Sequence, residues 1–252
     1  MGFDDRMGGE DLPGVDGEIQ FALDVEAVLT EGMLRIAFQP ICDLNSRETI
    51  GYEALARFPG TGEVTPNQWF EQASRVGLLQ ALELHAATTA LLQLPLLPEP
   101  AFVAVNLSPP TAASKAFDKV ASGVPPARLV LEISEQTTAD NYRQFAVAIE
   151  HLRSLGVRIA LDDTGGSPGV GLQHLMLVRP DILKIDTTVI RGIADDEIRQ
   201  AIASAYVSLA QGAGSVIIAE GIETDKELAM LLSLGINLGQ GYLLGRPEVP
   251  GD

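Results

Sequence analysis

The chain contains little of what several protein classes require. Cys42 is its only cysteine, so an intrachain disulfide and a cysteine-based zinc cluster are both excluded. Aromatic residues make up only 5% of the sequence, and no apolar run is long enough to span a bilayer. The polar, acidic N-terminus does not resemble a signal peptide. These features predict a soluble, cytoplasmic protein whose chemistry depends on oxygen and nitrogen groups.

Positive charge is also scarce, with 17 Lys and Arg residues against 34 Asp and Glu residues and a formal net charge of −17. A protein that wraps DNA or RNA needs a basic surface to release counterions, so nucleic-acid polymers are not expected as partners. Residues 1–31 hold nine acids and one base, Arg6, which is about half of the negative excess. Residues 1–16, rich in Gly and Asp, are predicted to be a disordered acidic tail, and residues 17–252 a folded domain.

Short apolar segments that carry one polar group near their end recur along the chain. The segment VRIALDD, residues 157–163, ends in the adjacent carboxylates Asp162 and Asp163. Similar segments carry Glu53, Asn106, Glu132, Lys184 and Glu220. Eight such strands are predicted to alternate with helices, including helices at 19–29, 68–76 and 78–92. Strands that are apolar on both faces call for a parallel sheet covered by helices, so we predict a closed (β/α)8 TIM-like barrel.

The polar groups fall at the carboxyl ends of the predicted strands, which is the catalytic face of such a barrel. An acid at a strand end more often caps a helix, and Arg57, Lys184 and Gln240 each have an ordinary structural interpretation when taken alone. Five carboxylates, an amide and a lysine at one rim would repel one another strongly unless cations were present. Oxygen-rich ligand sets select Mg²⁺ or Mn²⁺, so we predict a metal site.

The pentapeptide E-A-L-A-R, residues 53–57, resembles the signature of the EAL family of cyclic di-GMP phosphodiesterases. The family's other motifs follow the same order in this chain: AFQPI, VNLS, LEISE, LDD, LKID, AEGIE and QGY. The match extends from about Ile19 to Pro247. This resemblance implies an EAL-type barrel over residues 17–252 that hydrolyses cyclic di-GMP to linear pGpG. It also implies a two-metal mechanism with Mg²⁺ or Mn²⁺, and a homodimer.

The resemblance implies a role for each matching residue. The metal ligands would be Glu53, Asn106, Glu132, Asp162 and Asp163, with Asp162 bridging the two ions. Lys184 would orient and activate the attacking water, Glu220 would hold a water ligand or the lysine, and Glu135 would brace the loop after Asp163. The residues that contact the substrate or support the ligands would be Gln39, Arg57, Asp186, Glu223 and Gln240.

One segment departs from the family pattern. After the paired aspartates the family usually has Phe-Gly-Thr-Gly-Tyr-Ser-Ser, whereas residues 164–171 read TGGSPGVG, with one residue inserted and the aromatic side chains absent. Four glycines in eight residues raise the entropic cost of ordering this loop. Two interpretations therefore stand: an active phosphodiesterase, or a cyclic di-GMP receptor or regulatory scaffold with weak turnover. His85, His151 and His174 form no His-Asp pair, which argues against the histidine-based class of cyclic di-GMP phosphodiesterase.

Overall fold

The structure, a computed structural model, describes residues 15–59, 64–134, 139–162 and 175–251, with side chains described from residue 20 onwards except at 134–146. The predicted site residues Glu135 and Asp163 and the loop 164–171 lie outside the described residues. Residues 1–14, which are most of the predicted tail, also lie outside the described residues. The first helix begins at Val15, within the last two residues of the predicted tail. No helix within the described ranges has both the length and the apolar composition needed to cross a membrane.

Eight strands form a closed barrel in chain order, which confirms the predicted barrel. They are β1 Arg35–Asp43, β2 Thr49–Arg57, β3 Phe102–Asn106, β4 Leu129–Ser134, β5 Arg158–Asp162, β6 Ile182–Ile185, β7 Val216–Ala219 and β8 Leu238–Gly239. Strands β2 to β8 are parallel, but β1 is antiparallel to both of its neighbours, β2 and β8. The predicted alternation of strands and helices is therefore wrong at the first pair. Only residues 44–48 separate β1 from β2, and a parallel connection needs a crossover of a dozen or more residues.

One helix precedes the first strand, and the other helices lie between successive strands from β2 onwards. They are α1 Val15–Glu31, α2 Pro66–Arg75, α3 Leu79–Leu92, α4 Pro109–Ala112, α5 Lys115–Ala121, α6 Ala139–Ser154, α7 Thr187–Ile190, α8 Glu197–Ala213 and α9 Asp225–Ser233, and residues 175–178 are also helical. Short 3-10 turns occur at Leu94–Leu96, Pro126–Arg128 and Ile193–Asp195. The helices predicted at 68–76 and 78–92 are confirmed within two residues. The helix predicted at 19–29 is longer at both ends.

Side chains that alternate along the strands separate two apolar regions. Those that point outward, such as Leu131 on β4 and Ile185 on β6, pack against the helices. Those that point inward form a layer inside the barrel that we call the interior apolar layer: Ile41, Phe102, Ala104, Val130, Ala160, Ile182 and Ile218. Residues i and i+2 of a strand share a face, so on the parallel strands β3 to β6 the residue two positions beyond a layer member also points inward. This alternation places the predicted polar groups inside the barrel, above the interior apolar layer.

Candidate active site

Lys184 on β6 lies at the centre of a cluster of four carboxylates inside the barrel. Its Nζ atom is 2.6 Å from Oε1 of Glu220 and 2.9 Å from Oε2 of Glu132. Oε2 of Glu53 and Oδ1 of Asp162 both lie 3.4 Å from the same nitrogen. The Lys184 side chain is only 1% exposed, so these attractions act with little solvent screening. The carboxylates come from β2, β4, β5 and the end of β7, as the predicted convergence of strands requires.

Strand register explains why these residues meet. Ala160 pairs with Ile182 across β5 and β6, so Asp162 and Lys184 are both two residues further toward the carboxyl end. Asn106 pairs directly with Glu132 across β3 and β4. Each of these polar side chains therefore reaches the same level of the interior through the same alternation.

Two amide side chains complete the cluster. Asn106 donates from Nδ2 to Oε1 of Glu53 at 3.2 Å. Gln240 donates from Nε2 to Oε2 of Glu53 at 2.6 Å and to Oε1 of Glu220 at 3.3 Å. The next residue, Gly241, packs directly on the backbone of Ile222, because a Cβ atom at position 241 would lie 2.2 Å from the Ile222 nitrogen. A side chain at position 241 would therefore collide with the backbone of Ile222, beside the position from which Gln240 reaches the cluster.

Burial and mutual repulsion separate the proton affinities of the carboxylates. Burial raises the pKa of Glu53, but the attraction of Lys184 and the donors Gln240 and Asn106 outweigh burial and hold that pKa below its usual value. Burial and the neighbouring carboxylates, only partly offset by Lys184, raise the pKa of Glu132 well above its usual value. Burial, opposed by Lys184 and assisted by Asp162 and Glu53, raises the pKa of Glu220 to about 8. Burial lowers the pKa of Lys184, but the attraction of the four carboxylates raises it by more. The net pKa is well above its usual value, so the ammonium stays charged.

The donor set has the chemistry of a divalent cation site. Glu53, Glu132, Asp162 and the amide of Asn106 offer the hard oxygen ligands that Mg²⁺ and Mn²⁺ prefer. Oδ1 of Asp162 is buried and, in the part of the chain that the structure describes, accepts no hydrogen bond. In the described ranges, no three acidic, histidine or cysteine side chains stand together as a finished metal site. Lys184 lies between the carboxylates, and the predicted ligand Asp163 is outside those ranges.

The remaining predicted residues lie around the cluster. The side-chain hydrogen bonds and the ion pair described below join them to residues outside the cluster. Gln39 on β1 pairs with Glu53 in the sheet and donates from its side chain to the Gly245 carbonyl at 3.3 Å. Arg57 ends β2 and donates to the Ala56 carbonyl. Asp186 caps α7 by accepting from the Thr188 amide at 2.7 Å, which is the structural role that strand-end acids commonly have. Glu223 is exposed and forms an ion pair with Arg191.

Two buried acids, which no sequence motif indicated as part of the site, brace its loops. Glu83 on α3 accepts hydrogen bonds from the Ser108 amide at 2.9 Å, the Ser108 hydroxyl at 2.7 Å and the Thr111 hydroxyl, just after Asn106. Glu227 on α9 binds backbone amides of two different loops. The pattern T-x-x-E at 224–227 signals a helix capping box, but it does not indicate a contact with a second loop.

A barrel with an acidic, oxygen-rich cluster at the carboxyl ends of its strands is typical of enzymes that act at this face. A family model described as the EAL domain matches residues 23–247, and the chain belongs to the EAL domain family. The predicted family resemblance and the EAL-type barrel are thereby confirmed.

Curated relatives carry related names. The chain is 32% identical over 242 residues to the bifunctional diguanylate cyclase/cyclic di-GMP phosphodiesterase MucR of Pseudomonas aeruginosa, covering 91% of this chain and 35% of that protein. It is 28% identical over 222 residues to the cyclic di-GMP phosphodiesterase PdeF of Escherichia coli, covering 83% of this chain and 29% of that protein. The chain therefore spans only about a third of the length of these relatives.

Solved structures share the fold over most of the chain. The phosphodiesterase PaMucR in complex with cyclic di-GMP matches with a TM-score of 0.76 at 30% identity, covering 92% of this chain and 98% of that one. A calcium and cyclic di-GMP complex of Klebsiella pneumoniae BlrP1 also matches with a TM-score of 0.76, at 28% identity, covering 87% of this chain and 57% of that one.

Proposed function

We propose that this protein is a metal-dependent phosphodiesterase that hydrolyses cyclic di-GMP to linear pGpG. The observation that carries the proposal is the buried Lys184 ammonium in contact with Glu53, Glu132, Asp162 and Glu220 at the catalytic face. Relatives named cyclic di-GMP phosphodiesterases support the substrate, and structures of BlrP1 with calcium or manganese and cyclic di-GMP support the use of divalent cations. A homodimer is also part of the proposal.

Glu53, Asn106, Glu132, Asp162 and Asp163 would hold two divalent cations, Mg²⁺ or Mn²⁺, which lower the pKa of water and neutralise charge on the phosphoryl oxygens. Lys184 orients the attacking water, and Glu220 holds the Lys184 ammonium in place. The water oxygen bonds to phosphorus and gives up one proton, the bond from phosphorus to one ribose oxygen breaks, and that oxygen takes up one proton. One phosphodiester is thereby converted to a phosphate monoester and a hydroxyl.

The remaining residues position the reactants. Gln240 and Asn106 fix the orientation of the Glu53 carboxylate through their amide donors. Arg57 supplies a cation for the substrate phosphate, while Gln39, Asp186 and Glu223 contact the substrate or support the ligands. Glu135 braces the loop after Asp163.

A second candidate is a cyclic di-GMP receptor or regulatory scaffold with weak turnover. It is favoured by the sequence of residues 164–171, in which glycines replace the family's aromatic side chains. The same nucleotide would bind at the same face, but the chain would convert it slowly.

The deciding experiment is incubation of the purified protein with cyclic di-GMP and Mg²⁺ or Mn²⁺, followed by chromatographic detection of pGpG. Asp162→Asn is the matched control, because it removes the charge of the proposed bridging ligand and keeps its size. We expect pGpG from the wild type and none from this variant. Near-normal turnover by Asp162→Asn would contradict the two-metal assignment, and tight binding without pGpG in the wild type would favour the receptor.

A further inference from the structure

The carboxylate of Glu227 joins the loop after β6 to the loop after β7. Its Oε1 atom accepts a hydrogen bond from the Gly192 amide at 2.8 Å, in the loop after β6. Its Oε2 atom accepts from the amides of Glu223 and Thr224, both at 3.0 Å, in the loop after β7. The residue is only 5% exposed, so its charge is satisfied mainly by these three backbone donors.

These two loops carry proposed site residues. Lys184 and Asp186 precede or begin the first loop, and Glu220 and Glu223 lie in the second. Glu223 is held twice, by its backbone through Glu227 and by its side chain through the ion pair with Arg191 of the first loop. The loops also pack closely, because a Cβ atom on Gly221 would lie 2.4 Å from Oγ1 of Thr187. The two loops are therefore linked by Glu227, by the ion pair between Arg191 and Glu223, and by the close approach of Gly221 to Thr187.

A second helix shows that capping alone does not explain these contacts. Helix α2 has the same type of capping box, in which Thr65 accepts from the Gln68 amide and the Gln68 side chain accepts from the Thr65 amide. Gln68 is exposed, and its side-chain oxygen accepts hydrogen bonds from the amide and the hydroxyl of Thr65, both within the same cap. Glu227 occupies the equivalent position in α9 but is buried and reaches 35 residues back along the chain to Gly192.

We infer that Glu227 is a positioning residue that fixes Glu223 relative to the loop bearing Asp186, so that both face one bound cyclic dinucleotide. The role rests on the proposed function and adds a residue to it. Glu220 is held separately, by Lys184 and Gln240. Loss of the Glu227 contacts is therefore expected to displace Glu223 and weaken substrate binding, while the groups around Lys184 stay in place.

The variant that tests this role is Glu227→Gln. An amide keeps one oxygen acceptor but replaces the other with a donor, so the side chain can no longer accept bonds from both loops. Thr224→Ala is the matched control, because it removes the hydroxyl that caps the Glu227 amide and leaves the carboxylate contacts intact. Gln68→Ala is a second control, because it removes the side chain that accepts from the Thr65 amide in the cap of α2, at the position equivalent to Glu227.

We expect Glu227→Gln to raise KM for cyclic di-GMP at least about fivefold while kcat changes less than about twofold. Amide exchange should become faster in at least one of the two loops, at Gly192 or at Glu223. Thr224→Ala and Gln68→Ala should lower the unfolding temperature without either effect. If the substrate is bound but not turned over, the dissociation constant replaces KM as the quantity compared.

The role of Glu227 would be overturned by an unchanged KM or dissociation constant in Glu227→Gln, or by an equal rise in Thr224→Ala. Unchanged exchange at both Gly192 and Glu223 would also contradict it, since neither loop would then depend on the carboxylate. A wild-type protein that neither binds nor opens cyclic di-GMP would instead overturn the proposed function. Failure of the Glu227 role is thus seen in the variants, whereas failure of the proposed function is seen in the wild-type protein.

Discussion

Ile182 and Lys184 lie two residues apart on β6 and point into the same barrel, yet their surroundings differ completely. Ile182 belongs to the interior apolar layer, where Val130, Ala160 and Ile218 also meet. Lys184 belongs to the charged cluster above it, where four carboxylates share one ammonium. The apolar layer stabilises the fold by removing side chains from water, whereas the charged layer carries a desolvation cost that only mutual pairing offsets. The same alternation of strand residues therefore builds a supporting layer and a reactive one.

Replacement of Lys184 should have the largest effect on activity. Lys184→Ala is expected to lower kcat by about 10²–10³-fold, the range for loss of a preorganised charged donor next to the reacting groups, and to change KM much less. Steady-state kinetics with cyclic di-GMP measures both parameters. Lys184→Met keeps most of the side-chain length and serves as a second variant if the alanine protein does not fold. Equal losses in turnover and affinity would point to a structural lysine.

Replacement of Ile182 should affect the other layer. Ile182→Ala is expected to lower the free energy of unfolding by about 2–5 kcal/mol, because it removes buried methyl and methylene groups and leaves a cavity. The kcat of the folded variant should stay close to that of the wild type. Urea unfolding and kinetics on the same preparation make the comparison with Lys184→Met direct. A large loss of kcat in Ile182→Ala without loss of stability would mean that the two layers are not separate in function.

Much of this arrangement could be predicted from strand alternation. The rule that residues i and i+2 share a face places Asn106 above Ala104, Glu132 above Val130 and Lys184 above Ile182, and the structure confirms these placements. The direction of β1 could not be predicted in this way, because an apolar strand has the same pattern in either direction. The short connection to β2 was the available signal.

Contacts that depend on side-chain torsions, or that join distant segments of the chain, also could not be predicted from the sequence. Alternation predicts that Lys184 and the carboxylates face the interior, but it does not predict that one ammonium contacts all four of them. The bond between Glu227 and Gly192 joins segments that no local motif connects. For Asp186, by contrast, a local pattern was sufficient. An acid at a strand end commonly caps a helix, and Asp186 accepts the capping hydrogen bond from the Thr188 amide.

The smallest expected effect concerns pH and separates the two layers by their stability, with no turnover measurement. The pKa of Glu220 is raised from 4.5 in an unfolded chain to about 8 in the folded protein, so between these values the folded state binds more protons than the unfolded state. The contribution of Glu220 to stability is then fully present below about pH 4.5 and is lost as the pH rises through about 8. Glu220→Gln carries no charge at any pH and should show a shallower fall in the free energy of unfolding between pH 6 and 9 than the wild type.

Urea unfolding of metal-free protein across this range measures the difference in slope between wild type and Glu220→Gln. Ile182→Ala should keep the wild-type slope and shift only the absolute stability, because its layer contains no ionisable group among the described residues. Saturating Mg²⁺ should reduce the wild-type slope, since a bound cation stabilises the ionised carboxylates around it. If Glu220→Gln and the wild type lose stability in parallel as the pH rises, the ionisation of Glu220 does not control the pH dependence of stability. The charged cluster and the interior apolar layer would then differ in their side-chain contacts but not in their response to pH.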